Sequence, residues 1–149
     1  LDLAKDKAFL NIEIKVNNLD SDMQKIENLT RLVISKKMED QVLLSSFQHE
    51  LIQRIKHEHP SLHTGAIKIP GDERLPSEIA KSTGCSAFVC DIEEISHEIA
   101  DDAERNGIIV GVYSIDTADQ LDYILKFKVQ ALGTNFPELI LKELKNRGI

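Results

Sequence analysis

Short apolar runs alternate along the chain with stretches in which apolar residues recur at helical spacing. The run Phe9-Leu10-Asn11-Ile12-Glu13-Ile14-Lys15 alternates strictly. Ile12 and Ile14 point one way and Asn11, Glu13 and Lys15 the other, which predicts a strand. Leu1–Lys7, before it, reads as the last turns of a helix. Ile26, Leu29, Val33 and Ile34 give the segment from about Ser21 to Glu39 one apolar helical face. Val42–Phe47 is the second strand, and a helix from about Gln48 to His57 follows, with Leu51, Ile52 and Ile55 inward and Pro60 as its stop. Leu62–Ile67 is a weaker strand. Lys68–Pro76 is a loop holding Pro70, Gly71 and Asp72, and a short helix runs from Pro76 to Gly84. Ala87–Cys90 is the fourth strand, followed by a helix that runs to about Asn106, with Gly107 just past its end. Ile108–Tyr113 is the fifth strand and the most continuous apolar run. Thr117-Ala118-Asp119-Gln120 has capping-box form and opens a helix through about Lys128. Val129–Gly133 is the sixth strand. Asn135, with Pro137 in the first turn, opens the final helix, and Gly148 ends it.

Apolar strands that alternate with helices imply parallel strands covered by helices, so the fold class is α/β. An open doubly wound sheet and a closed barrel both satisfy that pattern. No Gly-x-Gly-x-x-Gly fingerprint stands at any strand–helix junction, which weakens the dinucleotide-binding version. Polar residues inside or ending the strands (Glu13, Lys15, Ser45, Ser46, Thr64, Asp91, Ser114 and Thr134) favour a (β/α) TIM-type barrel, whose functional groups collect at the carboxyl ends of its strands. A complete barrel has eight units in about 250 residues. The six units here make an incomplete one, and the helical stub at Leu1–Lys7 places the two missing units before residue 1.

Composition narrows the partners. The 149 residues are 42% hydrophobic and 29% charged, an ordinary globular balance. No stretch approaches the roughly 18 apolar residues of a bilayer span, and no signal peptide is visible in a chain that starts at Leu1. A net charge of -7, with no basic cluster beyond pairs such as Lys36–Lys37, argues against nucleic acid. Cys85 and Cys90 stand among apolar or small residues outside any Cys-x-x-Cys motif and read as buried free thiols. Free thiols fit a reducing compartment, and a cytoplasmic location is expected.

The strongest candidate for chemistry is Glu13 with Lys15. Two residues apart on a strand, they share a face, with Ile12 and Ile14 on the other. The carboxylate suits a hard divalent cation and the ammonium suits charge on a phosphoryl group. An ion pair filling a polar layer of the barrel is the alternative. Ser45 and Ser46 end a strand where a barrel places substrate contacts, or where hydroxyls cap the next helix. His49, His57 and His59 read as surface residues, His97 as solvent-facing, and His63 as partly buried. Lys68, Asp72, Glu73 and Arg74 lie in the longest loop, expected at the active face. Arg74 could meet an anionic head group, and a solvated charge cluster is the favoured alternative.

Four segments in order carry a family resemblance. Leu10-Asn11-Ile12-Glu13-Ile14-Lys15 is similar to the strand of glycerophosphodiester phosphodiesterases that bears a metal-binding glutamate and a nearby lysine. Val42–Leu51 resembles the family's Ser-Phe strand end, Gly111–Thr117 its Trp-Thr-Val-Asn segment, and Leu132–Pro137 its closing strand. The resemblance covers essentially all of residues 1–149, which then form one partial barrel domain matching strands 3–8. It implies metal-dependent hydrolysis of small glycerophosphodiesters to an alcohol and glycerol 3-phosphate. Calcium or magnesium is expected only in the complete barrel. It further implies Glu13 as a metal ligand, Lys15 as a catalytic contact to phosphate or metal-bound oxygen, and Ser46, Phe47 and Tyr113 as substrate-binding residues. The family's His-Arg-Gly strand, its Glu-x-Asp pair and its second histidine precede the segment matching Glu13 and are absent from these 149 residues. The chain alone is therefore expected to be inactive. If it is the whole polypeptide, its two open sheet edges predict a homo-oligomer with a binding or structural role.

Overall fold

β1 (Leu10–Glu13), β2 (Val42–Ser46), β3 (His63–Ile67), β4 (Ala87–Asp91), β5 (Ile109–Tyr113) and β6 (Ala131–Leu132) form one sheet in sequential order, every neighbouring pair parallel. They are connected by α1 (Leu19–Ser35), α2 (His49–Glu58), α3 (Pro76–Thr83), α4 (His97–Arg105) and α5 (Ala118–Ile124), and α6 (Pro137–Asn146) follows β6. This is the arrangement in the computed structural model, which describes residues 1–149. The sheet curls into a half-barrel, as the strand–helix alternation predicts.

The register fixes what each face carries. Ser46, Ala66, Phe88 and Val110 form one row across β2–β5 and are buried against the helices. Two apolar clusters fill that layer. One joins Val33 and Ile26 of α1 to Leu44, Leu51 and Ile55. The other joins Phe88 and Val112 to Ile99, Leu121 and Ile140. The concave face carries the alternate residues: the row Glu13, Ser45, Gly65, Ala87 and Ile109, and the row Gly111 and Ala131. The small residues Ala87, Gly111 and Ala131 leave a cavity of about 290 Å³ on this face. In a closed barrel side chains from opposite strands fill that space. Here Ile109 is 51% exposed.

Several boundaries differ from the sequence reading. Leu1–Lys7 forms hydrogen-bonded turns rather than a helix end, because Asp6 takes a left-handed backbone (φ 61°) that a continuing helix does not admit. α1 starts at Leu19, two residues early, since the Asn18 side chain accepts from the Ser21 N–H. It ends at Ser35 because Lys37 turns left-handed (φ 54°). The Lys37 and Met38 N–H groups then return to Ile34 and Val33, a Schellman closure. β1 stops at Glu13 rather than Lys15, and β6 has two residues only. The Thr117–Gln120 capping box forms as expected. Asn135 does not cap α6: its side chain and backbone N–H both donate to Asp116, and Phe136 stands at the cap position.

Candidate functional site

The carboxyl ends of β1 and β2 build one open cavity of about 240 Å³, lined by Glu13, Lys15, Ser46, Phe47 and Gln48 among others. The alternation read from the sequence brings Glu13 and Lys15 together, with Lys15 Nζ 3.6 Å from Glu13 Oε1. That separation is an ion contact without a hydrogen bond. Glu13 is 35% and Lys15 81% exposed in the side chain, so solvent screens the pair and each remains available to a ligand. The backbone between them is tied down. The Ile14 N–H donates to the Ser45 carbonyl, and the buried Ser46 hydroxyl donates to the Ile14 carbonyl at 2.7 Å. The same Ser46 oxygen accepts from the Gln48 N–H at 3.1 Å. Phe47 is 38% exposed at the cavity wall.

Tyr113 is not in that cavity. It ends β5 beside Asp91 of β4, its register partner, and borders the concave cavity instead. Burial is the main cause raising its phenol above the ordinary value, and the charges of Asp91, Glu94 and Glu13 add to it. Gly133 leaves room for Tyr113, since a Cβ on residue 133 would lie 2.9 Å from the tyrosine Cβ. Lys68, at the end of β3, is nearly covered and donates to Glu94 at 2.9 Å. Below this pair Cys90 is fully buried. Burial first, and Glu94 second, push its thiol up to about 12, so it is no nucleophile. Cys85 is buried too, and neither cysteine is bridged.

Two features escaped the sequence reading. His49, read as a surface residue, is half-buried and bridges the Ile67 carbonyl and Arg74. Arg74 pairs with Asp72 and stays 45% exposed in the side chain, within the solvated charge cluster expected of this loop. Asp116 staples the loops after β5 and β6 by accepting from Thr134 Oγ1, the Asn135 N–H and Asn135 Nδ2. His49 and Asp116 join residues far apart in sequence, and no local spacing marks them; Asp72 and Arg74 are close in sequence. His63 is exposed, not partly buried. His97 is exposed as expected, with its ring against Phe127 at 4.7 Å.

The profile of the glycerophosphoryl diester phosphodiesterase family matches residues 4–139. The chain belongs to this family. Among solved structures it is similar to a protein of Silicibacter pomeroyi described as a glycerophosphoryl diester phosphodiesterase (18% identity, TM-score 0.85, 95% of this chain and 51% of that one). It is similar also to a glycerophosphodiester phosphodiesterase of Parabacteroides distasonis (16%, TM-score 0.80, 95% and 59%). A third is an Oleispira antarctica phosphodiesterase in complex with the product sn-glycerol-3-phosphate (16%, TM-score 0.73, 92% and 55%). At these identities the likeness is one of fold. No curated protein matches the chain significantly. The chain spans little more than half the length of these solved relatives.

The family's chemistry raises the question of a metal. Glu13 offers carboxylate oxygens of the right kind at an open mouth. No group of three or more His, Cys, Asp or Glu in the chain could hold an ion. Calcium takes six to eight oxygens and magnesium an octahedron. Glu13 therefore fits as one ligand, and these 149 residues do not make a complete site.

Proposed function

We propose that this chain supplies the Glu13–Lys15 side of a glycerophosphodiester phosphodiesterase site. The reaction is hydrolysis of a small glycerophosphodiester to an alcohol and glycerol 3-phosphate, once strands bearing the family's His-Arg-Gly and Glu-x-Asp motifs close the barrel. The observation that carries this is the open Glu13–Lys15 pair at the mouth of a family barrel, in one cavity with Phe47. Bound calcium or magnesium would polarise the phosphoryl oxygen, with Glu13 as one of its ligands. Lys15 sets positive charge where the phosphoryl group gains negative charge. Ser46 acts through the Ile14 carbonyl, fixing the backbone between the two charged residues. Phe47 offers an apolar wall to the substrate, and Tyr113 lines the space across the sheet.

The test is glycerophosphodiester hydrolysis, with calcium or magnesium, by a polypeptide that joins this chain to family strands carrying those motifs. Glu13→Gln and Lys15→Met should each lower kcat by about 10²-fold or more. Full activity in Glu13→Gln would sink the assignment. The 149 residues alone should be inactive.

A second reading is favoured by the single carboxylate in the cavity and by the exposed concave residues Phe9 and Ile109. In it the half-barrel is a non-catalytic binding or structural module, and copies of the chain cover one another's open edges. Native mass separates the two readings: a stable homo-oligomer without hydrolysis supports the second. No helix is long and apolar enough to cross a membrane. The cytoplasmic placement rests on the two unbridged cysteines.

A further inference from the structure

The N-terminus of α2 and the β3–α3 loop (residues 68–75) meet through one imidazole. His49 Nε2 lies 2.9 Å from the Ile67 carbonyl oxygen, and His49 Nδ1 lies 3.2 Å from an Arg74 guanidinium nitrogen. A carbonyl only accepts and a guanidinium only donates. Both contacts are hydrogen bonds in one state alone, the neutral imidazole with its proton on Nε2 and a bare Nδ1.

Arg74 is itself held. Asp72 accepts from its Nε at 3.0 and 3.1 Å, from its terminal nitrogen at 2.6 Å, and from its backbone N–H at 3.0 Å. Arg74 pulls the Asp72 carboxyl down to about 2, so Asp72 stays ionised wherever an imidazole titrates. Of the other charges on these elements, Glu73 in the loop has no ion partner. Glu50 and Arg54 on α2 pair at 2.7 Å, Asp20 approaches Arg54 at 3.8 Å, and Lys68 pairs with Glu94. Glu78, whose charge reaches Arg74 from α3, accepts from the Leu75 N–H.

We propose that His49 is a pH-sensitive latch between α2 and the β3–α3 loop. Neutral, it ties the loop to the helix through Arg74. As imidazolium it sets an N–H against the guanidinium N–H, and one Asp72 carboxylate then faces two cations. The latch is closed above the imidazole titration and open below it. This holds whether or not the chain takes part in phosphodiester hydrolysis.

The test uses the ¹⁵N-labelled 149-residue chain. Long-range ¹H–¹⁵N spectra at pH about 8 should show His49 neutral with Nε2 protonated. Hydrogen-exchange protection factors of the Asp72 and Arg74 amides should fall roughly tenfold between pH about 8 and about 5, the loss of one hydrogen bond to a charged group. In His49→Ala they should be low at both pH values. In His49→Gln, whose amide donates to Ile67 and accepts from Arg74 without titrating, they should be high at both. An Nδ1–H tautomer at pH about 8, equal wild-type protection at both pH values, or wild-type pH dependence in His49→Gln would each overturn the proposal.

Discussion

Lys37 bears a cost that its side chain does not need. Its left-handed backbone closes α1 and lets Met38 enter the core beside Val33, both fully buried. An L-residue in that region is strained by about 1–2 kcal/mol, part of which glycine returns as unfolded-chain entropy. Lys37→Gly is therefore expected to stabilise the fold by about 0.5–1 kcal/mol, a rise in Tm of about 1–4 °C by calorimetry. Gly133→Ala should do the reverse, since its Cβ would press on Tyr113 at 2.9 Å. At this scale the sequence was legible where chemistry depends on near neighbours. Period-two alternation predicts that Glu13 and Lys15 meet, and they do at 3.6 Å although β1 itself ends at Glu13. It was silent where a side chain serves distant backbone. Ser46 and His49 are polar residues at a strand end and a helix start, and nothing local says that one holds Ile14 and the other Ile67.

Between elements, single carboxylates do the stapling. Asp102 of α4 is buried at 6% exposure and accepts from both the N–H and the hydroxyl of Ser77 at the start of α3, at 2.8 and 2.9 Å. Asp102→Ala leaves those donors without a partner and should destabilise by about 1–3 kcal/mol in urea unfolding. Asp116 and Asp72 act within the mouth loops. The Asn135 N–H, first among several donors, lowers the Asp116 carboxyl, and Arg74 lowers that of Asp72 to about 2. A carboxyl lowered in the folded state stabilises above its unfolded value and loses that contribution as pH falls through the folded one. The contribution of each carboxylate should therefore be kept at neutral pH and lost as pH falls below about 4. Amide protection follows it, at Asn135 for Asp116 and at Arg74 for Asp72, the latter in His49→Gln, where the latch does not titrate. Element type was readable from periodicity except at Leu1–Lys7, where a helix end was expected and turns form. Element ends were not, because they turn on one backbone angle, as at Lys37, or on a side chain taken elsewhere, as Asn135 is by Asp116.

For the 149 residues taken by themselves, the concave face and the two sheet edges govern behaviour. Phe9 at 61% and Ile109 at 51% exposure lie on a surface that a closed barrel fills with side chains. The 149 residues by themselves are expected to self-associate, and Ile109→Lys should shift the assembly toward monomer in light scattering without loss of helical circular dichroism. Unchanged mass would place the association elsewhere. Strand order has a kinetic consequence as well. Each strand pairs only with the strand next in sequence, so every ladder closes over one strand–helix–strand excursion. A ring must also join its first strand to its last, the longest loop closure in the chain. The 149 residues by themselves make no such closure, and their refolding is expected to proceed without a late, slow ring-sealing phase.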